Sequence, residues 1–277
     1  MRKTLLAILA MAITASMAMA QQRAAYYELE QMPNAVNYLP PPPDTTSVAF
    51  ACDMSLYFQG KALRDTERGD TALIDSNSSL SNILKIFSEP FGLDINKTET
   101  PAIYTMLKNA LATTGLGTKQ CKEYYHRRRP FQRFNEPMYS GESLGETSYP
   151  SGHTQKAWSA ALLLIEVCGD NQDAILKRAY EYGQSRVIVG AHWQSDVDAG
   201  RVVASACYAR LHNSPEFRAE MAAAQAEYAE LTKPVITTTP QVGVDAEPDA
   251  QWYTIDGLPA TEHTRGVVVS KNKKEIR

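Results

Sequence analysis

The segment from Ser151 to Cys168 constrains the fold more than any other part of the chain. Its apolar residues cover nearly every face of a helix instead of forming one stripe. A helix that is apolar all round is normally buried by other elements. The segments on both sides also have helical periodicity, and no convincing strand pattern separates them. We therefore expect an all-α fold, a single-domain helical bundle around this segment.

Glycine, proline and capping residues predict where the surrounding helices begin and end. Gly69 should end the first helix, and glycines 115 and 117 should interrupt the third. Pro130 should end the third helix, because proline disfavours helical backbone in the residue before it. Ser214 and Pro215 suit the start of the last helix. The predicted helices before the central one are 46–68, 71–87 and 100–129, and those after it are 172–189, 192–211 and 214–232.

The two ends of the chain differ from this helical middle. Residues 1–20 have a basic start, an apolar run and a small-x-small sequence before Gln21, which is typical of a cleaved secretory signal. From residue 234 onward Thr, Pro, Gly, Asp and Lys dominate and no periodicity is present. Residues 234–277 are therefore predicted to be a flexible tail. The folded domain is expected to span 21–233.

Charge and hydropathy exclude two kinds of partner. The formal net charge of the whole chain is −3, and it becomes −5 without the two basic residues of the signal. A mildly acidic chain lacks the basic stripe that nucleic-acid binding needs. No segment after residue 20 approaches the ~20 consecutive apolar residues of a transmembrane helix. We expect an exported, soluble protein with neither nucleic acid nor membrane as its partner.

Four cysteines are present: Cys52, Cys121, Cys168 and Cys207. An even number in an exported protein predicts two disulfides, with three pairings open. Cys168 and Cys207 lie near the ends of two predicted helices, which favours their pairing and leaves Cys52 with Cys121. None of the spacings is the close CxxC of a zinc or redox site, so a structural role is expected.

Lys122 and Arg129 are the first candidate site residues. They are seven positions apart, almost two helical turns, so on one helix both would point the same way and converge on one anion. Arg127 and Arg128 would point elsewhere, as solvated charges or in structural ion pairs. A basic helix face alone is most often solvated, so this pattern needs support from other motifs.

Ser151, Gly152 and His153 open the central helix. Ser151 is a good N-cap, and the first turn of a helix has unpaired N–H groups and a partial positive charge that bind phosphate well. Gly152 lets the backbone approach a ligand closely. His153 would stand beside that anion, whose charge favours a protonated ring that can act as a general acid.

Arg186, His192 and Asp196 complete the candidate site. Arg186 can make a forked contact to phosphate oxygens. Because Gly190 interrupts the helix, Arg186 and His192 need not follow one helical spacing. His192 and Asp196 are four apart and share a face. A carboxylate on one ring nitrogen fixes the tautomer and leaves the other nitrogen free as a nucleophile.

Taken in order, these stretches resemble the signature of the type 2 phosphatidic acid phosphatase superfamily, K-x6-R-P, P-S-G-H and S-R-x5-H-x3-D, with every position filled. Within that superfamily the chain resembles the bacterial class A non-specific acid phosphatases, also through the prolines 40–43 and the segment 192–198. The likeness covers roughly residues 25–232. The class usually has glycine where this chain has Thr147, and the loop 131–147 is shorter than expected.

The resemblance implies a role for each matched residue. His192 would attack phosphorus and form a phosphohistidine, Asp196 would orient it, and His153 would protonate the leaving alcohol and then activate water. The phosphoryl oxygens would be held by Lys122, Arg129, Arg186, Ser151 and the Gly152 backbone. No metal or other cofactor is implied, because the cations stabilise the charge. The family fold is an all-α bundle, and its soluble members are periplasmic and often oligomeric.

We therefore expect a periplasmic acid phosphatase acting on small phosphomonoesters, with inorganic phosphate or vanadate as further site ligands and phosphotransfer to alcohols as a second activity. One alternative is a vanadium-dependent haloperoxidase, whose signature is similar, although the small size and the acid-phosphatase flanks argue against it. Another is a non-catalytic phosphate-binding protein, which would gain little from two histidines and an oriented aspartate.

Overall fold

The computed structural model describes residues 26–233, 253–255, 257–260, 267–270 and 273–276. Between residues 26 and 233 all regular elements are helices, so the predicted all-α fold is confirmed. Short 3-10 turns occur at Leu29–Gln31, Ala35–Asn37 and Gly115–Thr118. The α-helices are α1 (Val48–Lys61), α2 (Glu67–Ile74), α3 (Leu80–Phe91), α4 (Pro101–Thr114), α5 (Lys119–Tyr125), α6 (Pro130–Arg133), α7 (Gly152–Cys168), α8 (Gln172–Ile188), α9 (Gln194–Leu211) and α10 (Pro215–Leu231).

Helix α7 is buried at the centre, as its composition predicts. It packs against α8 and α9, and also contacts α3, α4 and α10. Leu163 and Leu164 are almost fully buried in the main core, and burying each such side chain contributes about 1.5–3 kcal/mol. The buried alanines 157, 160 and 161 let the neighbouring helices approach closely. The first turn of α7 is thereby fixed relative to α8 and α9.

The predicted helix over 46–68 is wrong at its end, because α1 ends at Lys61 and Gly69 lies inside α2. Gly69 packs directly against the preceding turn, where a Cβ would lie 2.0 Å from the carbonyl oxygen of Arg64. This glycine therefore permits close packing and does not end a helix.

The predicted helix over 71–87 is also wrong, because it is divided between α2 and α3. Asp75 and Ser76 follow the end of α2 and accept hydrogen bonds from α8. Ser185 donates to the Asp75 carboxylate at 2.6 Å, and Arg186 donates to the Ser76 hydroxyl at 3.0 Å. Ser79 then caps the new helix by accepting from the Asn82 N–H. Helix α3 runs on to Phe91 and ends at Gly92, whose φ is +85°.

The predicted third helix is interrupted where its glycines indicate, by the 3-10 turn at Gly115–Thr118. Its second half ends at Tyr125 and not at residue 129. His126 takes a left-handed conformation with φ of +45° and its N–H donates to the Lys122 carbonyl, which ends α5. Lys122 and Arg129 therefore do not share one helix, and the expectation of a common helical face is wrong.

The helices after α7 are close to those predicted. Helix α8 ends one residue earlier than expected, and α9 begins two residues later. Helix α10 begins as predicted, with the Ser214 hydroxyl accepting from the Phe217 N–H at 3.2 Å and Pro215 at the first helical position. The capping signal at Ser214 and Pro215 was therefore reliable.

The predicted disulfides are absent, because all four cysteines are free thiols. Cys121 and Cys207 are both buried in one cluster with Tyr149 and Val203. Each predicted pair joins residues in different surroundings. Cys52 is exposed on α1, whereas Cys121 is buried. Cys168 is half-buried and its Sγ donates to the Asp170 carbonyl, whereas Cys207 is buried.

The described residues beyond 233 belong to a separate unit, which contains strands that the sequence analysis did not predict. They are β1 (Tyr253–Thr254), β2 (Val267–Ser270) and β3 (Lys273–Ile276), and form an antiparallel sheet in the order β1-β2-β3. Three consecutive β-branched residues favour β2, but the run is too short to show a period.

The predicted signal over 1–20 lies outside the described residues. In the part of the chain that the structure describes, no helix has the length and apolarity to cross a membrane.

Candidate active site

Gly190 brings His192 and Arg186 into one site. Its φ of +83° ends α8 in a tight turn, and the Arg186 carbonyl accepts from the N–H groups of both Ala191 and His192. A left-handed backbone of this kind favours glycine. Both side chains are buried: Arg186 is fully inaccessible and His192 is 2% exposed.

The ring of His192 has one defined tautomer. Its Nε2 lies 3.1 Å from Nη1 of Arg129, and a guanidinium can only donate, so Nε2 must be an acceptor and Nδ1 carries the hydrogen. Nδ1 faces Oδ2 of Asp196 at 3.5 Å, which is longer than a good hydrogen bond, and no other described group bonds to it. The lone pair of Nε2 therefore points toward the cationic side chains, as a nucleophile requires.

Asp196 is itself held firmly. Its Oδ1 accepts from Nη1 of Arg127 at 2.6 Å, and its Oδ2 accepts from the Trp193 N–H at 2.8 Å. Arg127 also donates to Asp53 at 2.8 Å, and Asp53 accepts from the N–H of Ser195 at 2.8 Å. The interpretation of Arg127 as a structural ion-pair residue is correct. Sequence reasoning missed Asp53, because nothing in its spacing connects it with Asp196.

Lys122 and Arg129 converge although they are not on one helix. Lys122 Nζ donates to the Thr147 carbonyl at 3.2 Å, and Arg129 Nη2 donates to the same oxygen at 2.8 Å. Arg129 is further fixed by the carbonyls of Gly145 and Ala191 at 2.6 and 2.8 Å. The backbone of the loop before α7 thus places both cations, one from α5 and one from the extended segment that precedes α6.

The first turn of α7 lies beside Lys122. The Ser151 hydroxyl accepts from the N–H and the hydroxyl of Thr154 at 3.3 and 2.9 Å, which leaves its own proton free to donate. A Cβ on Gly152 would be 4.0 Å from Cε of Lys122, so this backbone and the lysine border the same space. The N–H of Ser151 donates to the Asp196 carbonyl at 2.9 Å and joins α7 to α9.

Arg186 and His153 share two partners that the sequence did not reveal. Arg186 Nη1 donates to the Ser76 hydroxyl at 3.0 Å, and Nη2 donates to Oε2 of Glu142 at 3.0 Å. His153 Nε2 lies 3.0 Å from the Ser76 carbonyl, so it carries a hydrogen, and it is 3.4 Å from Oε1 of Glu142. Glu142 belongs to the loop 131–147 and lies outside every motif of the signature.

The cations and the burial of the site shift the pKa values of its groups. Burial, followed by the charges of Arg129 and Lys122, holds the pKa of His192 well below its usual range. Burial and the Arg186 charge also lower the pKa of His153, against the opposing effect of Glu142. Burial and neighbouring Arg129 lower the pKa of Lys122 to about 8. An arriving anion relieves this mutual repulsion, so the site is built to bind negative charge.

All eight predicted site residues therefore lie in one connected network that links Ser76, Glu142 and the Thr147 carbonyl to the start of α7 and the end of α8. Their individual catalytic roles stay predictions. Among the described residues, no three His, Cys, Asp or Glu side chains are grouped to hold a metal ion.

Comparison with known proteins defines the class. The model of the PAP2 superfamily matches residues 103–219, which include every predicted site residue. A non-specific acid phosphatase of Providencia stuartii is 43% identical over 213 residues, covering 75% of this chain and 86% of its own. The corresponding protein of Salmonella typhimurium is 40% identical over 220 residues, with 78% and 88% covered. An acid phosphatase of Zymomonas mobilis is 36% identical over 194 residues, with 69% and 74% covered.

The chain thus belongs to the PAP2 superfamily, as its motifs suggested. Within that superfamily it is similar to the non-specific acid phosphatases over most of its length, and it is a phosphatase.

Proposed function

We propose that this phosphatase is a periplasmic, metal-independent acid phosphatase that hydrolyses small phosphomonoesters through a phosphohistidine on His192. The observation that carries the proposal is the buried Nε2 of His192, whose lone pair faces Arg129 at 3.1 Å. A protein that only binds phosphate has no use for a buried, unprotonated imidazole among cations. A nucleophile needs that arrangement.

In the first step the phosphoryl oxygens would be bound by the three buried or half-buried cations, Lys122, Arg129 and Arg186, with the Ser151 hydroxyl and the Gly152 N–H. The Arg129 N–H now on Nε2 would turn to a phosphoryl oxygen and free the lone pair. A bond then forms between Nε2 and phosphorus as the bond from phosphorus to the alcohol oxygen breaks. His153 gives a proton to that oxygen, so a neutral alcohol leaves.

In the second step His153, now neutral, would take a proton from water while the water oxygen attacks phosphorus. The N–P bond breaks, its electron pair returns to Nε2, and inorganic phosphate is released. An alcohol in place of water would give phosphotransfer. Asp196 faces Nδ1 throughout and would stabilise the positive charge that the ring carries while it is phosphorylated.

Export to the periplasm rests on the signal pattern of residues 1–20. A broad range of phosphomonoesters is proposed because every binding residue assigned above would contact the phosphoryl group and none would contact the rest of the substrate. A membrane or nucleic acid is not part of the proposal, and assembly into a homo-oligomer stays an expectation from the resemblance.

The test is release of p-nitrophenol from p-nitrophenyl phosphate by residues 21–277 in mildly acidic buffer containing EDTA. We expect turnover by the wild type and none by His192→Ala. His126→Asn is the matched control, because His126 is exposed and asparagine tolerates its left-handed backbone. Unchanged turnover in His192→Ala would contradict the mechanism. Halide oxidation with vanadate and peroxide, without phosphatase turnover, would favour the haloperoxidase alternative.

A further inference from the structure

The carboxylate of Glu142 contacts two residues of the proposed phosphate site. Its Oε2 accepts from Arg186 Nη2 at 3.0 Å, and its Oε1 lies 3.3 Å from the same nitrogen. Oε1 is also 3.4 Å from His153 Nε2. The Glu142 side chain is 21% exposed, so the carboxylate reaches solvent while Arg186 does not. Arg186 and His153 are the groups expected to meet the phosphoryl group and the leaving oxygen.

Glu142 provides the counter-charge that buried Arg186 needs in the empty enzyme. Arg186 is fully inaccessible, its Nη1 bonds to the neutral Ser76 hydroxyl, and its Nε has no partner among the described residues. Glu142 is the one carboxylate that pairs with it in the described part of the chain. An uncompensated buried guanidinium is costly, so some anion has to occupy this position.

Glu142 is ionised whenever the enzyme works. Burial opposes its ionisation, but the hydrogen bond to His153 and the charge of Arg186 outweigh that effect and lower its pKa to about 2. A phosphoryl oxygen and this carboxylate would compete for the same N–H groups, and like charges side by side repel each other.

Apart from the Ser140 hydroxyl, which donates to Oε2 of Glu142 at 2.7 Å, the segment that carries Glu142 has few contacts of its own. Gly141 and Gly145 are exposed, and a Cβ at either position would meet no atom within 4 Å. Met138, Tyr139 and Leu144, by contrast, pack against the cluster of Ile188 and Val189. Rotation at residues 140–143 would therefore move the carboxylate away without disturbing the packed parts of the loop.

We propose that Glu142 is an affinity-determining residue of the active site, an internal ligand that occupies the phosphoryl position at Arg186 until substrate displaces it. The proposal rests on the proposed function, in which Arg186 binds the phosphoryl group. The carboxylate weakens the binding of phosphomonoesters and of inorganic phosphate, and its return to Arg186 helps to expel the product.

The test uses Glu142→Gln, which keeps the size and polarity of the side chain but removes its charge. Glu146→Gln is the matched control, because Glu146 is an exposed acid of the same loop without a contact to Arg186 or His153 among the described interactions. We expect the inhibition constant of inorganic phosphate and the KM of p-nitrophenyl phosphate to fall about tenfold in Glu142→Gln, as they would if Glu142 leaves the phosphoryl position open in about a tenth of the molecules. Both constants should be unchanged in Glu146→Gln.

Two results would overturn this inference. One is an inhibition constant for phosphate that stays the same or rises in Glu142→Gln. The other is a loss of kcat with an altered pH profile and unchanged phosphate binding, which would make Glu142 a positioning residue for His153. Calorimetric titration of each variant with inorganic phosphate tests the inference without turnover. If the wild type binds phosphate but hydrolyses nothing, the proposed function fails and the inference is still decided by the two affinities.

Discussion

Replacing Arg127 by methionine should destabilise the fold far more than its position beside two other arginines suggests. Arg127 is 9% exposed and pairs with Asp196 at 2.6 Å and Asp53 at 2.8 Å, and both carboxylates are buried. Breaking a buried pair by removing one partner typically costs about 3–5 kcal/mol, because an uncompensated charge remains. Here two carboxylates lose their shared cation, so we place the cost at the upper end, about 5 kcal/mol. The whole free energy of unfolding of a typical protein is only about 5–15 kcal/mol.

Urea denaturation followed by circular dichroism would measure this loss, with Arg128→Met as the control. Arg128 is exposed, and its described contact is through its carbonyl, which accepts from the Trp193 indole N–H. Its replacement should change the free energy of unfolding by less than about 0.5 kcal/mol. Adding Asp53→Asn to Arg127→Met should recover part of the loss, because one of the two unpaired charges disappears. Equal stabilities of Arg127→Met and Arg128→Met would refute the reasoning.

Two further predictions concern the rate. Asp196→Asn should lower kcat by about 10⁴-fold with KM little changed, by analogy with loss of the orienting aspartate in serine proteases, because an amide no longer fixes the tautomer of the ring. Steady-state kinetics on the folded variant would show this, and a loss below tenfold would contradict the assigned role of Asp196. The rate should also fall as pH rises from the mildly acidic range, because His153 must be protonated and burial and the Arg186 charge lower its pKa in the empty site. Burial and the charges of Arg129 and Lys122 hold the pKa of His192 well below its usual range, so the neutral form that acts as nucleophile persists in acid. A profile of kcat/KM against pH checks this second prediction, and a rate that increases steadily from acidic to neutral pH would argue against the two-histidine assignment.

The grouping of the candidate site residues was predictable because they lie in short motifs with fixed spacing. His192 and Asp196 face each other across one turn at the start of α9, and Ser151 caps α7 as its type suggests. The convergence of Lys122 and Arg129 was also predicted, but for the wrong reason. Helical geometry does not align them; they meet because both donate to the Thr147 carbonyl.

The parts that were missed depend on contacts between distant segments. Ser76 and Glu142 reach Arg186 across 110 and 44 positions of the chain, and Asp53 reaches Arg127 across 74. Helix ends were misjudged for the same reason: Gly69 looks like a terminator, but its packing against the Arg64 carbonyl keeps it within a helix. No local pattern contains this information.

The most direct test of the phosphohistidine mechanism is to identify the residue that carries phosphate during turnover. The enzyme would be mixed with radiolabelled p-nitrophenyl phosphate, quenched in alkali within one turnover and digested, and the labelled peptide would be sequenced by mass spectrometry. We predict an alkali-stable, acid-labile phosphoryl group on Nε2 of His192, and no label in His192→Ala. A label on another residue, or full turnover with no labelled protein at any quench time, would contradict it.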